Sequence, residues 1–79
     1  MAKRRSSLTV RIGLELAARR KTGGWSQEAF AAACGLHRTY VSQLERGIKS
    51  PTLNTLEAVA SVLGAAVWEL VRSAENRKA

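Results

Sequence analysis

The stretch from His37 to Arg46 holds a set of side chains suited to hydrogen-bonding a polar, anionic surface: His37, Arg38, Thr39, Ser42, Gln43 and Arg46. Val41 and Leu44 take the apolar positions of one helical face, so the set projects together from the other. A face that merely meets solvent would more often carry Glu and Lys pairs. These residue types instead suit the base edges of a DNA duplex. Arg can bridge O6 and N7 of guanine, Gln can bridge N6 and N7 of adenine, and the Thr methyl can pack on the methyl of thymine. An α-helix fits the major groove, so a helix decorated in this way has a place to go.

The elements that must position this face lie immediately around it, in Ser26 to Gly47. Phe30, Ala31 and Cys34 form one apolar face; Val41 and Leu44 form a second, and two such faces must meet each other and a common core. Gly35 permits the positive φ of a sharp turn between two short helices. Ala31 falls where those helices approach most closely. Two helices at a steep angle, joined by a tight glycine-containing turn, make a helix-turn-helix.

The rest of the chain reads as its scaffold, an all-α, compact five-helix bundle. Residues 1–6 form a basic N-terminal arm, 7–72 the folded domain, and 73–79 a polar, frayed tail. Ser7 is expected to cap a first helix with Leu8, Ile12 and Leu16 on its inner face, widened by Val10, Leu14 and Ala17. Gly13 inside that helix costs about 1 kcal/mol relative to Ala, which close packing against a neighbour would explain. Gly23-Gly24 stops the first helix, and Ser26 caps the second through Cys34. The third spans about 38–46. Thr52 caps a fourth that ends at Gly64, with Leu53, Leu56, Val59, Ala60 and Leu63 inward. A fifth, over about 67–72, presents Val67, Leu70 and Val71.

Length and composition bound the function. Seventy-nine residues make one small domain with little core to spare. The net charge of +7 is concentrated at the start, where Lys3, Arg4, Arg5, Arg11, Arg19, Arg20 and Lys21 face Glu15 alone. That balance favours a polyanionic partner, with DNA ahead of RNA or a membrane surface. No apolar run approaches the roughly 18–20 residues that span a bilayer, and the expected setting is cytoplasmic. The single Cys34 cannot form an internal disulfide, and with His37 the only histidine there is no metal set. No cofactor is expected, nor an enzyme: Asp is absent, no nucleophile has a neighbouring base, and no glycine loop could cradle phosphate.

From Ile12 to Val71 the sequence resembles the phage repressor/Cro-type (XRE) helix-turn-helix family, and within it the small controller proteins of restriction–modification systems. The motifs that carry the resemblance are Ser-Gln-Glu at 26–28, the Gly35 turn, Arg-Thr-Tyr-Val-Ser at 38–42, Leu-Glu-Arg-Gly at 44–47 and Pro-Thr-Leu at 51–53. The resemblance implies a double-stranded DNA-binding transcriptional regulator, acting as a homodimer on a palindromic operator. It places Arg38, Thr39 and Gln43 on bases and His37, Tyr40, Ser42 and Arg46 at flanking positions. Gln27 would contact a phosphate and brace the third helix, and Lys49 and Ser50 would meet the backbone. Arg20 and Glu45 would form a structural salt bridge.

Arg19 stands where the family carries an apolar residue, and His37 and Ala66 replace the usual polar caps of the third and fifth helices. An aromatic Trp68 beside Val67 and Val71 implies an exposed patch and hence a partner, and the resemblance implies a dimer interface at this end. The resemblance also implies control of the chain's own gene, with repression and activation both open and RNA polymerase a candidate partner. A competing reading is an antitoxin or other protein-interaction module, with a toxin as partner and DNA binding secondary. Trp25 reads as a staple or core residue, Cys34 as a small apolar one, and Lys3-Arg4-Arg5 as an arm lying along an adjacent groove.

Overall fold

Three helices begin in the same way. In the computed structural model, which describes residues 7–78, the hydroxyl of Ser7 accepts from the Val10 amide at 3.4 Å, that of Ser26 from Ala29 at 3.0 Å, and that of Thr52 from Thr55 at 3.0 Å. Each satisfies one amide that the first helical turn leaves without a partner. The helices are α1 (Leu8–Thr22), α2 (Gln27–Cys34), α3 (Arg38–Glu45), α4 (Leu53–Leu63) and α5 (Val67–Glu75), with no strand among the described residues. Residues 1–6, including the basic arm, lie outside the described residues.

The other two helices lack a capping side chain, as His37 and Ala66 suggest. At α5 the loss is partly made good. The Ala66 amide donates to the Glu69 carboxylate at 2.8 Å, the reciprocal half of a capping box. Trp25, just before the Ser26 cap, meets Phe30 edge-to-face with ring centroids 6.0 Å apart. That is the hydrophobic staple, and it fixes how the chain enters α2.

Ile12, Leu16, Phe30, Ala31, Val41, Val59 and Leu70 are buried at the centre of the bundle. Gly13 stands where α1 crosses α3. A Cβ there would collide with the Leu44 carbonyl oxygen and come within 2.8 Å of that of Glu45. The absence of a side chain at residue 13 is what lets the two helices touch.

Several expectations are corrected. Leu53 is 76% exposed rather than inward. At about 100° per residue it is rotated roughly 70° from the mean direction of Leu56, Val59, Ala60 and Leu63, at the edge of the stripe. Leu14, expected to widen the inner face of α1, is 39% exposed, and Leu8 is 38% exposed. The fifth helix does not stop at Arg72. It runs to Glu75, with Ala74 fully buried, so the start of the supposed frayed tail belongs to the core.

The end of α5 is held by a polar seam along α1. Arg11 donates to the Glu75 carbonyl at 3.1 Å, and Arg19 to the Ser73 hydroxyl at 3.2 Å. Between them Glu15, itself buried, accepts from Arg19 at 2.6 Å and from Arg77 at 2.8 Å. Arg19 therefore replaces an apolar contact with an ionic one and keeps the register of α1. Burial pushes the Glu15 carboxyl up, but the hydrogen bonds and charges of Arg19 and Arg77 outweigh it, leaving it below its ordinary value of 4.5.

Gly13→Ala gains about 1 kcal/mol of helix propensity, yet the collision with α3 reverses the sign. A net loss of about 1–3 kcal/mol is expected in thermal or denaturant unfolding, and a more stable variant would contradict the contact. Glu15 generates a pH dependence of known sign. Because its folded-state pKa is depressed, its ionised form contributes stability that is present above about pH 4.5 and lost as pH falls through the folded-state value. Glu15→Gln should flatten the acid limb of a melting-temperature profile; an equally steep limb would assign the acid loss to another carboxylate.

Candidate nucleic-acid interface

Val41 and Leu44 are each 2% exposed and turn one side of α3 into the core. With each residue turning about 100°, the opposite side is centred on Thr39, Ser42, Gln43 and Arg46, with Arg38 at its margin. His37, Arg38, Thr39 and Arg46 are exposed; Ser42 and Gln43 are half-buried along the same side. No carboxylate lies on this face. Gly35, at φ 73°, makes the turn that sets α3 across α2, and the Leu36 amide closes it on the Ala31 carbonyl at 2.8 Å.

Both flanks of α3 meet another helix. On one, the Glu45 carboxylate accepts from Arg20 through two nitrogens, at 2.6 and 3.1 Å, and from the Gln27 amide at 2.9 Å. Arg20 also donates to the Trp25 carbonyl at 2.8 Å, so one guanidinium joins α1, the α1–α2 turn and α3. The hydrogen bonds from Arg20 to Glu45 raise the arginine's pKa, opposed by burial, and keep it charged. On the other flank the half-buried Tyr40 brings its hydroxyl 3.5 Å from that of Thr55 on α4. Thr55 was not singled out in the sequence, where it reads only as a polar position near a helix start.

Gln27 thus sits as a brace, with one amide hydrogen on Glu45 and the other available. Lys49 and Ser50 are exposed in the loop after α3, as is Ile48, whose side chain is 60% exposed. His37 starts α3 with extended backbone and no capping hydrogen bond, leaving its imidazole at the solvent end of the helix. Cys34 is half-buried against the core, and burial pushes its thiol up, away from reactivity.

The residues assigned to self-association lie elsewhere on the surface. Val67 and Val71 are half-buried against the core, while Trp68 is 62% exposed. Val71 also borders an apolar cleft of about 160 Å³ with Leu8, Pro51 and Leu56. Sequence reading missed Glu15 and Arg77. The i,i+4 spacing of Glu15 and Arg19 could have found the first; nothing local marks Arg77 as its partner. Among the described residues, no group of His, Cys, Asp and Glu could hold a metal ion, and no single helix is long and apolar enough to cross a membrane.

The Helix-turn-helix family HTH_3 matches residues 16–67. A hypothetical transcription factor of Neisseria meningitidis serogroup B is 44% identical over 54 residues, covering 68% of this chain and 51% of that protein. The chain therefore spans about half the length of that relative. The control protein C.MunI of a Mycoplasma species is 37% identical over 72 residues, covering 90% of this chain and 97% of the other. The biofilm regulator SinR, solved in complex with DNA, superposes with a TM-score of 0.73 at 33% identity, covering 76% of this chain and 97% of that one. A hinge at Gly35, an outward polar face on α3 and these likenesses agree, and the chain belongs to the helix-turn-helix family of DNA-binding transcription regulators.

Proposed function

We propose that this chain is a sequence-specific regulator of transcription that lays α3 in the major groove of duplex DNA and binds a palindromic operator as a homodimer. The observation that carries the reading is the outward side of α3. It is polar, free of carboxylate and built on a helix anchored at Glu45 by Arg20 and Gln27, so its donors keep fixed positions relative to one another. Arg38, Thr39 and Gln43 read base edges. His37, Ser42 and Arg46 extend the contact, while Tyr40 reaches the groove margin from its place beside Thr55.

Gln27 offers its second amide hydrogen to a phosphate while bracing Glu45. Lys49 and Ser50 meet the sugar-phosphate backbone. Two copies joined through Val67, Trp68 and Val71 would place their recognition helices about 34 Å apart, one turn of the duplex. Occupancy of such a site next to a promoter controls transcription by occlusion, or by contact with the polymerase, and the chain's own gene is a natural target.

Duplexes selected from a random pool supply the binding site, and anisotropy titrations then test the residues. Arg38→Ala and Gln43→Ala should each cost about 1–3 kcal/mol on that site and relax preference at particular base pairs. Lys49→Ala should weaken all duplexes alike and lower the salt slope by about one. Unchanged binding by both the Arg38 and Gln43 variants would remove α3 as the reading element. Trp68→Glu should sediment as a monomer, and a variant that remains dimeric would move the interface off α5.

A further inference from the structure

The Glu15 seam lies on the side of α1 turned away from α3, and the reading of DNA by α3 makes no use of it. We propose that Glu15 is a positioning residue for self-association: with Arg19 and Arg77 it fixes the rotation of α5, and so the direction in which Trp68 is presented. The inference rests on the self-association reading above.

Leu70 and Ala74 are the fully buried residues of α5, and the second is a single methyl. With the half-buried Val67 and Val71 they fix which side of α5 faces the core, but apolar burial is non-directional and sets the finer angle only loosely. The seam is directional. Arg11 to the Glu75 carbonyl, Arg19 to Ser73, and Glu15 to Arg77 place three contacts on the final turn and the residues just beyond it.

Glu15 is the centre of this seam, because each of its oxygens takes a different arginine. On the far side of α1, Gly13 and Arg20 lock the same helix to α3. The seam therefore relates the Trp68 face to the reading face, and in a two-fold pair that relation sets how far apart the two recognition helices stand.

The test compares Arg77→Ala, Arg77→Lys, Glu15→Gln and Trp68→Glu by sedimentation equilibrium, with thermal melts and titration of a single half-site duplex alongside. The Arg77 side chain is 35% exposed, so truncating it opens no cavity in the core. Arg77→Ala and Glu15→Gln should raise the dimer dissociation constant about three- to thirtyfold, the range expected for a positioning contact. Half-site affinity should stay at the wild-type value, and Arg77→Lys should recover most of the loss. A residue that only stabilises the fold would lower the melting temperature and leave the dissociation constant alone, which overturns the proposal. Monomeric Trp68→Glu beside unaltered Arg77→Ala and Glu15→Gln dimers overturns it while keeping the self-association reading. A wild-type chain that never associates overturns both.

Discussion

A carboxylate buried under a helix has to be met by charge and hydrogen bonds, and Glu45 is met by Arg20 and Gln27. The outward face of α3 depends on that junction. α3 is only two turns long, too short to hold its own conformation in water. Its burial through Val41 and Leu44 fixes which side faces in. It does not fix tilt or register along α1. A bidentate guanidinium does, because its planar fork meets the carboxylate in one geometry. Replacing the pair with apolar residues could leave the domain as stable, since desolvating two charges offsets much of their attraction. What would be lost is the fixed placing of Arg38, Thr39 and Gln43.

The parts of the fold legible in the sequence were those set by local chemistry. Ser7, Ser26 and Thr52 announce helix starts because their hydroxyls satisfy an amide three residues on, whatever the rest of the chain does. Gly35 announces the turn because its conformation excludes most other residues. Gly13, costly in a helix, pointed to a close neighbour and has one in the α3 backbone.

What escaped depends on packing partners far away in the chain. Leu53 has the spacing of a core residue, but it lies at the edge of its stripe in the first turn, where no local pattern tells burial from exposure. Ala74 reads as a tail residue until α1 lies beside it. Arg77 and Glu15 are separated by 62 positions; the sequence around either gives no hint of the other. Along the outward side of α3 the residue types are plain in the sequence but their support is not, since Thr55 comes beside Tyr40 only once α4 passes behind it.

These cases converge on α1, which does more than cover the core. At about 100° per residue, Gly13 and Arg20 fall on one side of it, Ile12 and Leu16 next to them, and Arg11, Glu15 and Arg19 beyond. The first side touches α3, the second fills the interior, and the third grips the end of α5. One rigid helix of four turns thus joins α3 to α5. That arrangement accounts for Arg19 where an apolar residue would serve the core equally well. An apolar side chain there would add burial, but it could not reach Ser73 or share the Glu15 carboxylate with Arg77. The charge at residue 19 is better understood as part of how α1 holds α5 than as a defect in how it meets the core.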